Sequence, residues 1–302
     1  MLNIIFDKEL SYKHKIISIL SFQNLKIASV LLNFYVGIKS RFNSEYDKKF
    51  KISYLTKNSF SVQIDEGEFF TATPYRALNL SRGLEWRINL LARSYGIHWF
   101  KNIFKKKINV IDLGANIGEF SIFVAKKGAN VFAIEHDKAV FKMLALNAKK
   151  YSQIKAFNYS ISNISGKQDI YYGTISGSST IVKPHNTSDF KEFSIDSFRA
   201  DDKAVGVSEG ITLDDFIDKN NINNVDLIKC DAEGAEPEML QGLNKHINKV
   251  GYFTIDTGPE RNGEETTKEV IEILQSKNFE ILKSPDASFG RVVIARNKSY
   301  VI

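Results

Sequence analysis

The stretch Val110-Ile-Asp-Leu-Gly-Ala-Asn-Ile-Gly118 has the pattern of a buried strand that ends in an acid and turns through glycines into a helix. Such a turn lets a ligand approach the backbone closely. A dinucleotide-binding turn needs the spacing Gly-x-Gly-x-x-Gly, whereas here Gly114 and Gly118 flank Asn116. Asp112 precedes the first glycine, where it would repel a pyrophosphate and attract an amino group. The turn therefore fits an amino-acid-bearing nucleoside better than NAD.

A second acid supports this interpretation. Glu135 ends the next predicted strand, 23 positions after Asp112, where a carboxylate can accept hydrogen bonds from both ribose hydroxyls. A glycine turn alone is also compatible with an ordinary strand-to-helix connection, but its pairing with Glu135 favours a ligand. We predict that the ligand is S-adenosylmethionine, held by Asp112, Gly114, Asn116, Gly118 and Glu135.

The residues around this turn predict the fold class. From residue 109 onward, short apolar runs alternate with amphipathic stretches, which is typical of a parallel sheet with crossover helices. We predict an α/β, Rossmann-like sheet of seven strands that ends in an antiparallel hairpin, within a domain spanning residues 109–302. The predicted strands are 109–113, 130–135, 155–160, 225–231, 251–256, 280–284 and 289–295, and the predicted helices are 118–127, 138–151, 212–220, 237–248 and 264–277.

Residues 1–108 form a separate accessory region in this interpretation. Apolar spacing predicts an amphipathic helix over 16–38, β-prone runs predict a small β-meander over 50–73, and a second helix follows over 75–96. The region carries 18 basic and 8 acidic side chains, a net charge of +10, whereas the rest of the chain has a net charge of −4. A basic patch could contact anionic lipid at a membrane surface, phosphate or nucleic acid, but dispersed lysines on solvated faces would give the same count and are the favoured explanation.

Composition excludes several classes of protein. Of the 302 residues, 43% are hydrophobic and 25% charged, which is ordinary globular usage and excludes a fibrous or disordered chain. Cys230 is the single cysteine, so no intramolecular disulfide can form, which fits a cytoplasmic location. No uninterrupted apolar stretch is long enough to span a bilayer.

A second group of acids lies at the ends of the fourth and fifth predicted strands. Asp231 and Glu233 follow the strand at 225–231, and Asp256 ends the next one. Adjacent parallel strands would bring these carboxylates to one edge of the sheet, where open α/β sheets bind ligands. We therefore expect Asp231, Glu233 and Asp256 to be catalytic, or Asp231 and Asp256 to share Mg²⁺. The alternative is that the acids only cap the following helix.

With these residues the chain resembles the FkbM-type S-adenosylmethionine-dependent methyltransferases. The resemblance covers about residues 110–283 and is most specific in Val110–Gly118, in Thr212-Leu-Asp-Asp-Phe216 and in Val225-Asp-Leu-Ile-Lys-Cys-Asp-Ala-Glu-Gly-Ala-Glu236. It implies a class I methyltransferase fold and O-methylation of a hydroxyl. Relatives commonly have glutamate at the position of Asp256. Many also have a Ser-Asp pair after the third strand, so the adenine contact is expected to pass to Ser162 or Asn163.

The expected function is methyl transfer to a hydroxyl of a glycan, a glycolipid or another small molecule. The Ser- and Thr-rich run after the third strand can hydrogen-bond a polyol, and Tyr172, Ser178 and Ser179 are its candidate substrate ligands, although an ordinary surface loop has the same composition. Two alternatives stay open. The first is a nucleic-acid methyltransferase. It is disfavoured because this chain lacks the Asn/Asp-Pro-Pro-aromatic motif of many base methylases. The second is a non-catalytic interaction module that keeps the fold.

Overall fold

The computed structural model describes residues 25–100, 102–172, 179–183, 205–286 and 290–300. Three of the sequence predictions therefore lie partly outside the described residues. They are the first part of the N-terminal helix, at 16–24, most of the Ser- and Thr-rich run, including Ser178, and the first residue of the strand predicted at 289–295.

The N-terminal part has the predicted order of helix, small antiparallel sheet and helix. Its elements are α1 (Leu25–Phe42), β1 (Lys51–Thr56), β2 (Ser59–Ile64), β3 (Gly67–Thr71), the short α2 (Pro74–Ala77) and α3 (Leu84–Ser94). The helix predicted over 75–96 divides in two. Gly83, with φ of 83°, precedes α3 in a conformation that a helix does not use.

The remaining elements follow in chain order. They are β4 (Asn109–Leu113), α4 (Glu119–Lys126), β5 (Asn130–Ile134), α5 (Lys138–Ala148), β6 (Ile154–Phe157), β7 (Ser160–Ile161), β8 (Gly166–Tyr171), β9 (Val205–Ile211), α6 (Leu213–Lys219), β10 (Val225–Cys230), α7 (Glu236–Gln241), β11 (Val250–Asp256), α8 (Thr267–Ser276), β12 (Phe279–Lys283) and β13 (Val292–Asn297). Local sequence sets several of the boundaries. Asp137, for example, accepts a hydrogen bond from the backbone of Ala139 and so begins α5.

Seven strands form the main sheet, in the order β12-β13-β11-β10-β4-β5-β6. The central strands are parallel, and β13 runs antiparallel to both β11 and β12, which confirms the predicted terminal hairpin. The strand order reverses between β4 and β10. The carboxyl ends of these two strands form the switch point at which open α/β sheets bind ligands.

Several boundaries and one sheet differ from the sequence prediction, and the helices predicted over 138–151 and 264–277 shorten to Lys138–Ala148 and Thr267–Ser276. The helix predicted over 237–248 ends at Gln241 and is followed by Gly242, where a Cβ would lie 2.2 Å from the carbonyl oxygen of Ser162. The third strand is shorter than predicted, and the last begins at Val292. β7, β9 and β8 form a further three-stranded sheet that the sequence analysis did not predict. Its strand β9 was missed because its Val205 and Val207 face solvent.

The N-terminal elements share a hydrophobic core with one face of the main sheet. This core includes Phe60, Ile88 and Phe100 from the N-terminal part and Val110 and Ile294 from the sheet, all nearly inaccessible to solvent. The two parts therefore pack against each other. The division of the chain into two domains at residue 108 stays a prediction. Among the described residues, no helix is both long and apolar enough to cross a bilayer.

A buried asparagine joins the two parts. Asn147 on α5 accepts a hydrogen bond from the backbone N–H of Phe70 at 2.9 Å and donates to its carbonyl at 3.0 Å. The same amide also donates to the carbonyl of Ile117, next to the glycine turn. Strand β3 is thereby attached to the turn that follows β4.

Candidate active site

The turn after β4 is held in a conformation that few residues other than glycine adopt. Gly114, Asn116 and Gly118 have φ values of 66°, 51° and 94°, all in the left-handed region. A Cβ at Gly114 would lie 2.0 Å from the carbonyl oxygen of Asp231. Because a backbone carbonyl cannot move aside as a flexible side chain can, the turn requires glycine here. The ends of β4 and β10 therefore approach each other closely at the switch point.

Glu135 lies at the end of β5, beside this turn. Its carboxylate accepts a hydrogen bond from the backbone N–H of Asn116 at 3.0 Å and another from that of Asp137 at 2.8 Å. Burial is the main cause that raises the pKa of Glu135. The side chain is fixed in place and lines a cleft together with Gly114 and Asn116. A carboxylate so placed fits the ribose hydroxyls of a nucleoside.

Asp112 is fully buried at the end of β4 and faces a buried lysine. One oxygen accepts a hydrogen bond from Ser121 Oγ at 2.6 Å, and the other lies 3.2 Å from Lys229 Nζ. The Lys229 ammonium also donates to the carbonyls of Leu113 and Gly114, at 3.1 and 3.0 Å. Burial is the largest single influence and lowers the pKa of Lys229, but the charges of Asp112 and Asp231 and the hydrogen bond to Asp112 together outweigh it, and the net pKa is raised. The predicted role of Asp112 toward a ligand amino group stays a prediction.

Asp231 follows β10 and is held from two sides. Tyr95 donates a hydrogen bond from its hydroxyl to Asp231 Oδ2 at 2.6 Å, and Lys229 Nζ lies 4.0 Å from the same oxygen. Burial and the charge of Asp231 raise the pKa of Tyr95 well above its ordinary value, so the phenol keeps its proton. The ring of Tyr95 also packs under the Lys229 ammonium, which lies 4.9 Å from its centroid.

Three further carboxyl groups surround Asp231, and each has a raised pKa. Burial followed by the charge of Asp231 raises the pKa of Glu233 to about 9 and that of Asp256 to about 6. Burial and the charge of Asp256 raise the pKa of Glu260 to about 8. The pairing of β10 with β11 places Asp256 beside Asp231, as the sequence predicts. Perturbed carboxyls that gather beside a cleft are typical of a functional site, although only Glu233 of these three lines a cleft and Asp256 and Glu260 line neither.

The other two acids of the same run have structural partners, although no side chain caps the first turn of α7. Glu236 is buried, and its side chain accepts hydrogen bonds from the backbone N–H groups of Ala232 and Gly234 and from Thr266 Oγ1. Glu238 pairs with Arg261 through two hydrogen bonds. These two glutamates shape the start of α7 and so explain half of the acidic run. Asp231 and Glu233 point into the cleft instead.

Two clefts adjoin at the switch point and share Gly114, His136 and Asp231. The first is polar. Besides the residues above, its lining includes Arg76, Arg87, Leu91, Glu119, Phe120 and Ser179. The second is mainly apolar, lined by Leu113, Ile134, Tyr159, Ile161, Ala232, Ala235 and Met239 among others. A polar cleft beside an apolar one suits a ligand that combines an amino acid, a ribose and a base.

The structure places the other predicted ligands unevenly. Ser179 lines the polar cleft and lies 2.7 Å from His136 Nε2. Tyr172 instead packs against Gly206 of β9. Ser162 and Asn163 lie beside the end of α7, where the Asn163 amide donates to Gln241 Oε1 at 3.2 Å, and line neither cleft. Their adenine contact stays a prediction.

Some lining residues come from a part of the chain to which sequence analysis gave no role. Arg76 and Arg87 belong to α2 and α3, and Tyr95 follows α3. The helical pattern over 75–96 was visible in the sequence, but nothing in it indicated contact with the sheet edge. For Lys229 there was a signal, because it is the one basic residue of the strand Val225–Cys230.

The seven-stranded sheet and the site at its switch point define a Rossmann-like, class I methyltransferase. The Methyltransferase FkbM domain matches residues 112–281, more than half of the chain. The chain thus belongs to the FkbM methyltransferase family and is an S-adenosylmethionine-dependent methyltransferase. This confirms the sequence-based resemblance and the predicted fold.

Distant relatives are similar to this chain over its methyltransferase part. "Methyltransferase 1" of Beauveria bassiana is 25% identical over 194 residues, which cover 59% of this chain and 74% of the relative. "Hexuronic acid methyltransferase AglP" of Haloferax volcanii is 23% identical over 182 residues, covering 60% and 69%. Among solved structures, magnesium protoporphyrin IX methyltransferase from Synechocystis with bound S-adenosylmethionine is 11% identical, with a TM-score of 0.40 over 74% of this chain and 82% of that one.

We expect Glu135→Gln to weaken S-adenosylmethionine binding by more than tenfold, about 1.4 kcal/mol, because an amide loses the charge-assisted hydrogen bonds to the ribose hydroxyls. Isothermal titration calorimetry measures the change. Glu280→Gln, at an exposed glutamate of β12, is the matched control and should bind as the wild type does. Equal affinities for the two variants would show that the ribose binds elsewhere.

We expect Glu233→Gln to raise the melting temperature of the ligand-free protein at alkaline pH. The pKa of this carboxyl rises from 4.5 in the unfolded chain to about 9 in the folded protein. As pH rises between these values, the carboxyl ionises in the unfolded chain while it stays protonated in the native state, and the wild-type protein loses stability. The gain should therefore be largest near pH 9 and vanish near pH 4. Glu272→Gln, on the exposed side of α8, should give no such trend. A gain independent of pH would contradict the proposed cause.

Proposed function

We propose that this enzyme transfers a methyl group from S-adenosylmethionine to a hydroxyl group of a sugar or a glycan-linked acceptor. The observation that carries the proposal is Asp231, which lies in both clefts and is oriented by Tyr95 and Lys229. A fixed carboxylate at this place suits acceptance of a hydroxyl proton. The name of one relative, a hexuronic acid methyltransferase, supports a sugar-like acceptor.

In this proposal the glycine turn and Glu135 hold the cofactor. The backbone at Gly114 and Asn116 lies open to the cleft, and Glu135 binds the ribose. S-adenosylmethionine supplies a methyl group on a positively charged sulfur, so the methyl carbon is already activated. The protein contributes by positioning the methyl donor and the acceptor hydroxyl, because correct orientation of two reactants accounts for much of the rate of methyl transfer.

Asp231 acts at the acceptor side. Bound S-adenosylmethionine would supply the methyl group to the acceptor oxygen and leave as S-adenosylhomocysteine, and the Asp231 carboxylate would accept the proton that the hydroxyl loses. Glu233 and Asp256 are the second choices for this role. Ser179 is the best-placed candidate ligand for the acceptor, because it lines the same cleft, and Tyr172 and Ser178 belong to the same proposal.

The test is a comparison of cell-envelope glycans and small metabolites from a deletion strain and its parent by mass spectrometry. We expect the deletion strain to contain an acceptor that is lighter by one methyl group, and complementation to restore it. Identical glycan and metabolite profiles, together with a missing methyl group in RNA, would support the nucleic-acid alternative instead. The interaction-module alternative predicts no calorimetric binding of S-adenosylmethionine.

Magnesium at Asp231 and Asp256 is the metal-assisted variant of this mechanism. Among the described residues, no group of three His, Cys, Asp or Glu side chains is arranged to hold a metal ion. Asp231 faces an ammonium and a phenol instead. Unchanged methyl transfer after treatment with EDTA and dialysis would remove the variant, and recovery on adding Mg²⁺ would support it.

A further inference from the structure

Helix α1 is apolar on two opposite sides. Ala28, Leu32 and Val36 are buried and pack the helix against the N-terminal sheet. The other side exposes a row of large apolar side chains to solvent, with exposed fractions between 40% and 87%, made up of Ile27, Val30, Leu31, Phe34, Ile38 and Phe42. We call this row the α1 apolar face. Contiguous exposed apolar faces of this kind mark sites of association.

Basic residues border the α1 apolar face, and helix α1 itself contributes no acid to it. Lys26, Lys39 and Arg41 are exposed, and the 18 residues of α1 include no Asp or Glu. The next acids along the chain are engaged elsewhere, Glu45 with Arg82 and Asp47 with backbone N–H groups. An apolar row between cations is the pattern of a helix that lies in the interface of an anionic bilayer.

From this pattern we infer that the α1 apolar face docks on an anionic membrane surface, with α1 parallel to the bilayer plane. The apolar row enters the interface and the flanking cations meet lipid phosphates. A two-fold dimer through this face fits less well, because antiparallel copies of α1 would bring Lys39 and Arg41 of one copy toward Lys26 of the other. A nucleic acid would satisfy the cations but leave the apolar row in water.

One short helix, α2, contacts both α1 and the polar cleft. Helix α1 packs against α2, and Arg76 of α2 lines the polar cleft. A membrane bound at α1 is therefore one short helix away from the site. This arrangement suits an acceptor that is carried on a lipid, although the docking itself does not depend on the acceptor.

The test is co-sedimentation of the full-length protein with lipid vesicles. We expect binding to phosphatidylcholine vesicles that contain about one third phosphatidylglycerol, and at least tenfold weaker binding to phosphatidylcholine alone or at high salt. Phe34→Ser combined with Phe42→Ser should reduce binding at least tenfold, and Lys39→Gln combined with Arg41→Gln should remove its salt dependence.

The matched control combines Ile164→Ser with Val207→Ser. These residues are 61% and 62% exposed and lie near the three-stranded sheet, so this variant should bind vesicles as the wild type does. Calorimetric binding of S-adenosylmethionine to each variant verifies its fold without vesicles, which separates this test from that of the proposed function. Equal binding by the Phe34 and Phe42 variant and the wild type would overturn the inference. The inference would also be overturned if the wild type did not sediment with anionic vesicles. It would be overturned as well if the wild type formed a dimer that the combined Phe34 and Phe42 variant did not form.

Discussion

Replacement of Lys229 by methionine is expected to lower the free energy of unfolding by about 3–5 kcal/mol, because it leaves a buried charge without its partner. Lys229 is 2% exposed, and its ammonium lies 3.2 Å from a carboxylate oxygen of the fully buried Asp112. The same ammonium satisfies the carbonyls of Leu113 and Gly114. Methionine has a similar volume but offers no donor to any of these groups. Denaturant unfolding of the ligand-free protein measures the loss.

Two further variants separate charge from packing at this site. Lys126→Met removes a lysine of α4 that pairs with Glu85 at the surface, and we expect little change because exposed ion pairs contribute little. Asp112→Asn in the Lys229→Met background removes the orphaned charge and should recover part of the stability. If the double variant were no more stable than the single one, lost packing rather than the unpaired carboxylate would explain the effect.

The fold was largely predictable because it depends on local patterns. Short apolar strands and glycine turns recur along residues 109–302, and the first strand at 109–113 has the predicted bounds. The same pattern placed Asp112, Glu135 and Asp231 at strand ends, which parallel pairing brings to one edge of the sheet. Strand β9 escaped prediction, since it pairs only through its backbone with β8 and β7 and exposes its valines.

The contacts that orient the site were not predictable from the sequence. Tyr95 and Asp231 are 136 positions apart, and only the packing of α3 beside the sheet brings the hydroxyl to the carboxylate. Similarly, the role of Lys229 depends on which way a buried side chain extends from β10. Spacing can show that residues share an edge, but the partner of each polar atom is decided by tertiary packing.

The second large effect is expected for Asp231→Asn, which should reduce methyl transfer by about 10²–10⁴-fold, the range typical of a lost general base. An amide can still accept the hydrogen bond from Tyr95, so S-adenosylmethionine affinity and melting temperature should stay close to those of the wild type. Transfer of labelled methyl groups to an envelope extract from the deletion strain measures the rate. A large loss of stability with unchanged transfer would assign Asp231 a capping role.

Tyr95→Phe tests the orientation of this carboxylate separately. Removing the phenol leaves Asp231 without its 2.6 Å donor, and we expect about tenfold slower transfer, the equivalent of about 1.4 kcal/mol, with little change in cofactor affinity. Tyr300→Phe is the matched control, because Tyr300 donates an equally short hydrogen bond to Asp226 at the opposite end of β10. If both variants lost the same activity, the Tyr95 hydroxyl would matter for stability alone.

The pH profile then decides between Asp231 and its neighbours as the proton acceptor. A base must be ionised, so acceptance by Asp256, with a pKa of about 6, would make kcat/KM rise through that pH, whereas acceptance by Glu233 would make it rise near pH 9. Because Asp231 is the proposed base, we expect the wild-type profile to show neither rise. Asp256→Asn and Glu233→Gln should each retain more than a tenth of wild-type transfer. Loss of transfer in either variant as large as that in Asp231→Asn would move the role of base to that carboxyl.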